Sequence, residues 1–484
     1  MSDILTMRYQ TTTSIFFVFS LLGLLQIQPL KAKTITEKLD LKGATLILSP
    51  NEDLLIKGRG RICNGTIIGD NSRIVVHSKK KWVMNCVELK GLWKGKIEDK
   101  VFKYKVFKKQ DFQLVSNMFQ FDSLYFSNRT YYLERWATIR MNSGDVFVEG
   151  NGVTFVLPSI KGGTNATDWG DMYKTYNMFS STWLENTHIT VKDINIIDNQ
   201  ERIKGWGEDV TVETPILYYY FSPGQTNLFF ENVNSDGCGA LLHTYSIDHN
   251  NGDQIFKHCN IRTSQFAIEL GNRLQAHTDK VIIEDCTINR YKNGIFVGPI
   301  SIVGNANQVD TVIIKNNVFN EPNVGNVELK GAKYVSFCGN ITTNMFCFTG
   351  SVQVPEKYEC SGNHVILCSG ETGKLMASMR IAGEEIVIKD NLFEITEKPF
   401  PCIEIFNPNA VKDLRIYRNT INYSPKEDYN GFQCLFSFSA PNGNFVFFDN
   451  SFESPYNEPH FCNYFPKNSK RFEDVFGDRI NNYK

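Results

Sequence analysis

The sequence lacks the features that would point to a nucleic acid, a zinc site or a membrane-embedded domain. The formal net charge is −1 over 484 residues and no long run carries one sign of charge, which gives no electrostatic case for nucleic acid. None of the 12 cysteines forms a Cys-x-x-Cys pair. No acidic cluster is dense enough to predict calcium, so no metal or other cofactor is predicted, although a single bound calcium ion stays compatible with the sequence.

Long apolar runs are also absent, with one exception near the N-terminus. Arg8 precedes the apolar stretch Ser14–Leu25, and the small residue Ala32 closes a plausible cleavage region. The stretch is too short for a comfortable membrane span. We therefore predict a signal peptide over 1–32 and an exported protein, periplasmic or secreted, with no membrane span after the signal is removed.

What the sequence does contain is a repeat. Short segments of apolar-x-apolar residues followed by a polar corner recur roughly every 30 residues, a period typical of solenoids. The sixth residue of each segment serves as a marker of the corner: Ile194, Val233, Cys259, Cys286, Asn317, Asn340, Asn391, Asn419 and Asn450. The step from Asn340 to Asn391 is about twice the common length, which predicts a further repeat around His364–Cys368.

The repeat predicts one long all-β domain over 33–452 rather than several domains. Residues 34–95 alternate with period two and predict the opening strands and their cap. Apolar residues at helical spacing predict a short capping helix over 111–121. Residues 160–187 and 197–213 interrupt the repeat and are predicted to be insertions. Residues 453–484 are predicted to form a C-terminal cover.

The cysteines and the corner asparagines have structural interpretations. Cys259 and Cys286 occupy the marker position, and other cysteines lie inside apolar strands, which favours buried free thiols over a disulfide framework. Asparagines recur at the corners, and stacked amides there predict a structural ladder rather than a ligand site.

The repeated Ile-x-x-Asn-x-Phe pattern and the segment Gly150–Leu157 (GNGVTFVL) resemble a known group. This group is the bacterial right-handed parallel β-helix repeat proteins of the pectate-lyase-like superfamily, and the resemblance covers roughly 34–452. It implies a right-handed parallel β-helix with an N-terminal cap. It implies less about activity, because members include polysaccharide lyases, glycoside hydrolases, phage tail spikes and proteins with no known reaction.

The catalytic signatures of that superfamily are missing. Arg202–Lys204 reads Arg-Ile-Lys, as in polygalacturonase-like hydrolases, but no Gly-His-Gly accompanies it. Ser246–His249 resembles the Trp-Ile-Asp-His stretch of pectate lyases without the tryptophan, and the later Arg-x-Pro-x-x-Arg is absent. Neither match predicts a reaction.

Register provides a better guide to a site than motifs do. Counting ten residues from the markers Val233 and Cys259 reaches His243 and Glu269, which we predict to be outward neighbours on adjacent coils. Tyr218 is predicted at or next to the same position on the preceding coil. Further polar residues lie near the strand ends: Asp236, His249, Asp253, Asn272 and Arg273.

Two catalytic interpretations stay open. A carboxylate beside an imidazole makes a general acid or base. If the substrate is a uronic-acid polymer, His243 or Tyr218 could be the base of an elimination and Arg273 could neutralise the sugar carboxylate. If the substrate is a neutral glycan, Glu269 with Asp236 or Asp253 would form the two carboxylates of a hydrolase. The structural alternative is a cross-strand contact without catalysis.

Aromatic residues could supply a sugar-binding wall beside this site. The candidates are Trp169, Trp206, Tyr219 and Tyr220, with His249 and Asn272 as polar contacts. The alternative is that the tyrosines fill the core and the tryptophans anchor the insertions. The sequence thus predicts an exported protein that cleaves a polysaccharide, with a non-catalytic glycan-binding or surface-assembly solenoid as the alternative, and leaves the oligomeric state open.

Overall fold

The computed structural model describes the greater part of the repeat region. The described residues are 32–78, Lys80, 83–94, 96–98, 106–107, 119–120, 123–126, 128–133, 139–140, 143–156, 179–181, 185–197, 202–203, 210–211, 215–219, 225–238, 240–246, 250–263, 267–272, 276–290, 300–303, 308–329, 331–348, 354–367, 379–396, 403–405, 407–424, 436–437, 443–453, 460–462 and 469–471. None of these residues belongs to a helix long and apolar enough to cross a membrane.

The described chain is all-β apart from one 3₁₀ helix at Pro408–Ala410. The first strands are β1 Ala32–Ile35, β2 Lys38–Asp40, β3 Thr45–Ile47, β4 Asp53–Gly58, β5 Arg61–Ser72, β6 Ile74–Ser78, β7 Met84–Trp93, β8 Lys96–Glu98, β9 Val106–Phe107, β10 Phe119–Gln120, β11 Ser123–Tyr125, β12 Thr130–Leu133, β13 Ile139–Arg140 and β14 Ser143–Val156. The middle strands are β15 Phe179–Ser181, β16 Glu185–Ile197, β17 Arg202–Ile203, β18 Val210–Thr211, β19 Pro215–Tyr219, β20 Thr226–Cys238, β21 Ala240–Ser246, β22 Asn250–Lys257, β23 Asn260–Thr263, β24 Ile268–Asn272, β25 His277–Glu284, β26 Thr287–Arg290, β27 Ile300–Val303, β28 Val309–Lys315, β29 Val318–Leu329 and β30 Ala332–Cys338. The last strands are β31 Ile341–Phe348, β32 Lys357–Ser361, β33 His364–Leu367, β34 Met379–Ile381, β35 Glu385–Lys389, β36 Leu392–Ile395, β37 Ile403–Ile405, β38 Asp413–Tyr417, β39 Thr420–Tyr423, β40 Phe436–Ser437, β41 Asn444–Phe448, β42 Ser451–Glu453, β43 His460–Cys462 and β44 Ser469–Arg471.

From β13 onwards the described strands pair in three parallel series, apart from the antiparallel pairs β17–β18 and β43–β44. The first series runs through β14, β16, β20, β22, β25, β28, β30, β32, β35, β38 and β41. The second begins in the later halves of β14, β16 and β20 and continues through β23, β26, β29, β31, β33, β36, β39 and β42. The third runs through β13, β15, β19, β21, β24, β27, the ends of β29 and β31, β34, β37, β40 and β43. Each repeat thus pairs with the next in parallel, which is consistent with a β-solenoid.

Alternation along each strand builds the core. In β25 the residues Val281 and Ile283 are buried, whereas Ile282 and Glu284 between and beyond them are partly exposed. Equivalent residues of neighbouring repeats stack, so that the buried rings of Phe230 and Phe256 meet edge to face with centroids 5.6 Å apart. The buried residues of the three series form one continuous apolar cluster.

The corner between the first and second series is the most regular part of the repeat. The residue before each marker adopts a positive φ, as at Asp285 (φ 54°) and Asn316 (φ 55°), and glycine takes this position at 339 and 362. Asparagine and aspartate tolerate this left-handed conformation better than other side chains with a Cβ. The chain therefore turns at one residue and places the marker side chain into the interior.

The asparagine ladder predicted from the sequence is confirmed. It consists of buried or partly buried marker residues: Asn317, Asn340, Asn363, Asn391, Asn419 and Asn450. The Oδ1 of Asn340 accepts hydrogen bonds from the backbone N–H and the Nδ2 of Asn317, at 2.9 and 3.0 Å, and its Nδ2 donates to the carbonyl of Ile314 at 2.9 Å. Asn363 also shows that the long step between Asn340 and Asn391 holds a further repeat, because β32 and β33 flank it.

Two thiols continue the ladder towards the N-terminus. Cys259 and Cys286 are free and buried, as the sequence predicts. The amide of Cys286 donates to Oδ1 of Asn317 at 2.9 Å, and the Sγ of Cys286 is 3.4 Å from the amide of Cys259. The hydrogen bond to Cys286, followed by burial, raises the pKa of the Cys259 thiol, so it stays protonated. The thiols therefore pack as small apolar residues within the corner.

The outer side of the first series carries a row of alternating charges. Lys192, Glu231, Lys257, Glu284 and Lys315 are successive partners in register. Glu284 lies between two lysines, with Oε2 2.9 Å from Nζ of Lys257 and Oε1 3.1 Å from Nζ of Lys315. Hydrogen bonds from Lys257 and then Lys315 hold the pKa of this carboxyl below its ordinary value.

Three expectations about the ends and insertions need correction. Phe119–Gln120 forms strand β10 and pairs with β7, so the helix predicted for 111–121 does not include these residues; the rest of that segment lies outside the described residues. Backbone pairing with an existing sheet overrides the helical spacing of the apolar residues. The last part of the predicted insertion 160–187 belongs to the repeat instead, because β15 pairs within the third series and β16 begins at Glu185 within the first. The repeat also extends past residue 453, since β43 pairs in parallel with β40.

We predict that Asn340→Ala lowers the free energy of unfolding by about 3 kcal/mol, because it removes the acceptor of the buried Asn317 amide and leaves the Ile314 carbonyl without its donor. Denaturant unfolding would measure the change. The matched control is Asn320→Ala, which removes one exposed hydrogen bond to Asn289 and should cost less than about 0.5 kcal/mol. Equal effects of the two substitutions would contradict the structural role of the ladder.

We predict that Glu284→Gln destabilises the protein by about 1 kcal/mol at neutral pH, since the carboxylate faces two lysines. Because the pKa of Glu284 is lowered on folding, its stabilisation is complete above the ordinary glutamate pKa of about 4.3 and is lost as the pH falls through the lower folded-state value. Melting of both proteins across this range should show the two curves converge in acid. A difference that is constant with pH would contradict the ion-pair origin.

Candidate functional site

One column of the third series collects most of its polar and ionisable positions. The backbone register runs through Arg140, Ser180, Tyr218, His243, Glu269, Ser301, Glu328, Phe348, Arg380, Glu404, Ser437 and Cys462. We refer to these residues as the polar column. Successive positions lie about 4.8 Å apart, the spacing of paired strands.

The polar column alternates with the core along each strand. Glu269 stands between Ile268 and Leu270, both buried. Glu328 stands between the buried residues Val327 and Leu329. Since adjacent strand positions alternate between the two faces of a sheet, the backbone places positions 269 and 328 on the face opposite to their buried neighbours. Ile268 and Leu270 therefore belong to the core.

The register brings together the residues that the sequence analysis placed at the centre of the site. Tyr218 pairs with His243, and His243 pairs with Glu269. Tyr219 falls in the neighbouring column, with Thr244 and the buried Leu270, so its position is on the core side of the strand. Asn272 ends β24 and pairs with Ser246.

Two acids considered as partners of Glu269 lie in other series. Asp236 is in the second series, where its Oδ1 is 3.7 Å from a guanidinium nitrogen of Arg262. Asp253 lies in β22 of the first series, where it pairs with Lys280 and its carboxylate is 3.8 Å from Nζ of that lysine. The register therefore does not bring Asp236 or Asp253 next to Glu269.

The remaining predicted site residues lie outside the described residues. They are Trp169, Trp206, Tyr220, His249 and Arg273. The aromatic wall and the cation assigned to neutralise a sugar carboxylate thus stay predictions from the sequence.

The structure adds two carboxylates to the column that the sequence analysis did not select. Glu328 follows Glu269 by two steps of register, and Glu404 lies further along. Both sit in an apolar-Glu-apolar triplet like Ile268–Leu270, namely Val327–Leu329 and Ile403–Ile405. This repeated triplet was a signal in the sequence that could have identified them.

Glu404 differs from an ordinary outward acid because it is only 4% exposed. It pairs in register with Arg380 on one side and Ser437 on the other. Burial of a carboxylate is costly unless the charge is compensated. Arg380, the register partner of Glu404, stands at a position from which a positive charge could compensate this carboxylate.

The spacing of the column sets what it can do chemically. His243 and Glu269 are one step apart, which suits a carboxylate that orients an imidazole and raises its basicity. Glu269 and Glu328 are two steps apart, about 10 Å between backbones. Paired carboxylates of inverting glycosidases stand about 6.5–9.5 Å apart at their carboxyl groups, within reach of such positions.

A second imidazole–carboxylate pair occurs in the second series. The Nε2 of His364 is 2.6 Å from Oε2 of Glu394, and each side chain is 35% exposed. His364 pairs in register with Leu392, and Glu394 pairs with Ile366, so His364 and Glu394 are diagonal neighbours on adjacent strands of the second series. The polar column belongs to the third series. The pair was not selected as a site from the sequence.

The chain matches no family model, no curated protein and no solved structure. The candidate site therefore rests on backbone register and on the chemistry of its residues.

We predict that His364 and Glu394 are coupled by only about 0.2–1 kcal/mol, as is usual for partly exposed pairs. A double-mutant cycle with His364→Ala and Glu394→Gln, read by denaturant unfolding, would measure this. A coupling several times larger would contradict the weak energy expected of a partly exposed pair.

Proposed function

We propose that the chain is an exported right-handed parallel β-helix that cleaves a polysaccharide at the polar column. The fold proposal is supported by three parallel series, by one left-handed residue at each corner, and by the asparagine ladder. Under this proposal the N-terminal strands form a cap, and residues 1–32 are removed on export.

The observation that carries the functional proposal is the alignment of Tyr218, His243, Glu269 and Glu328 in one column. A polymer laid along the strand-stacking direction would meet these groups in succession. Column positions recur at about 4.8 Å, close to the scale of one sugar unit, so that several subsites could follow one another along a rigid sheet.

Two reaction types fit the column. In an elimination, His243, with Glu269 beside it, or Tyr218 removes the proton at C5 of a uronic acid, the electron pair forms the C4–C5 double bond, and the glycosidic oxygen leaves. In a hydrolysis, Glu269 and Glu328 act as general acid and general base on opposite sides of the bond. Glu328 replaces Asp236 and Asp253 as the partner of Glu269, because it lies in the same column.

The alternative function is a non-catalytic glycan-binding or surface-assembly protein. It is favoured by a half-buried apolar stripe on the outer side of the first series, formed by Phe147, Phe229, Ile255, Ile282 and Ile313 in successive register with Thr190. Such a stripe supplies contact area without titratable groups. In that case Ile282→Lys should weaken binding while no product is formed.

The test is to incubate the mature protein with a panel of uronic-acid and neutral glycans. Ultraviolet absorbance of an unsaturated product reports elimination, and new reducing ends without absorbance report hydrolysis. We predict that elimination is reduced at least about 100-fold in His243→Ala, the usual value of a general base. For hydrolysis the same loss is predicted in both Glu269→Gln and Glu328→Gln.

The matched control is Glu359→Gln, which changes an outward glutamate of the first series that is paired with Lys389 at 3.0 Å. Its activity should equal that of the unchanged protein. Activity that survives in all column variants would refute the site. Binding without any product across the panel would favour the non-catalytic alternative.

A further inference from the structure

Three metal-ligating side chains converge on two neighbouring strands of the first series. The Nε2 of His277 is 3.2 Å from Oδ2 of Asp310 and 3.7 Å from Oδ1 of Asp279. One ligand atom from each of the three residues lies within 4.8 Å of the others. None of the three was predicted to be a site residue from the sequence.

The backbone fixes this arrangement. His277 and Asp279 flank the buried Thr278 in β25, so period two places both on the same outer face. In β28, Val309 pairs with Thr278 and Thr311 pairs with Lys280, which sets Asp310 opposite Asp279. All three ligands therefore stand on paired strands, where sites are held more accurately than on loops.

The charge of the cluster is unbalanced. Glu284 on the same series faces two lysines, and Asp253 faces Lys280. By contrast, within the described part of the chain the ion-pair partner of Asp279 and Asp310 is the one imidazole of His277. A single imidazole offsets at most one of two carboxylates, so a divalent cation would complete the balance.

A further side chain orients one of the carboxylates. The Nε2 of Gln225 donates to Oδ2 of Asp279 at 3.3 Å, which leaves Oδ1 directed to the cluster. Hydrogen bonds of this kind to the non-ligating oxygen are a regular part of protein metal sites. Gln225 thus orients one ligand without being a ligand itself.

We propose that His277, Asp279 and Asp310 bind a divalent transition-metal ion of the Zn²⁺ or Mn²⁺ type. One imidazole nitrogen and two carboxylate oxygens suit such ions, with ligand distances of about 2.0–2.2 Å that small side-chain rotations can reach. Calcium prefers six to eight oxygens and would gain little from the imidazole. The site lies in the first series and does not depend on the polar column or on its activity.

The test uses the full mature chain, stripped with a chelator and titrated calorimetrically with ZnCl₂, MnCl₂ and CaCl₂, with bound metal counted by elemental analysis. The expected result is one transition-metal ion per chain, bound more tightly than calcium. Binding should be lost in His277→Ala and in Asp310→Asn, and weakened about tenfold in Gln225→Ala.

The matched control is His188→Ala. His188 also faces an aspartate, with Nδ1 3.1 Å from Oδ1 of Asp145, and the only three-ligand group within the described residues is the one at His277. Metal binding by the His188→Ala variant should be unchanged. Absence of stoichiometric binding, binding that survives in both His277→Ala and Asp310→Asn, or tighter binding of calcium than of zinc would each overturn the proposal. Thermal unfolding without metal confirms that each variant is folded.

Discussion

The whole arrangement depends on the corner between the first and second series. One residue there turns through a left-handed conformation, and in the repeats from Asn317 to Asn450 the next residue places an amide into the interior. Each ladder asparagine accepts from the repeat before it and donates to that repeat's backbone, as Asn340 does with Asn317 and Ile314. Because these bonds join neighbouring repeats at one fixed point, they set the register of every strand that follows.

The third series, which lies away from these corners, also aligns its residues by register alone. The strands of the third series follow these corners along the chain, and positions 218, 243 and 269 pair in register although no local motif unites them. A site built in this way needs only the right side chain at one place in each repeat. Such a site needs no local motif, because register alone places a histidine and a glutamate on adjacent strands.

The features that follow from the repeat period could be predicted from the sequence. They include the extra repeat at Asn363, the buried thiols Cys259 and Cys286, and the pairing of His243 with Glu269. Features that depend on the varying number of residues between corners could not be predicted in this way. Counting ten residues from the marker Asn317 misses Glu328, because the connection from the corner to the end of β29 has a different length. The pairing of Asp310 with Asp279 is also missed, because neither residue belongs to a motif. The helical spacing around Phe119 misleads, because pairing with β7 outweighs it.

The alternating row from Lys192 to Lys315 also restricts how the length of this protein can change. Loss of the single repeat that carries Glu284 would set Lys257 against Lys315 as cross-strand neighbours, and like charges directly opposite each other are destabilising. Loss of two adjacent repeats would restore a lysine against a glutamate. Along this stretch, duplication or deletion of an odd number of repeats therefore places like charges opposite each other, whereas an even number keeps lysine opposite glutamate.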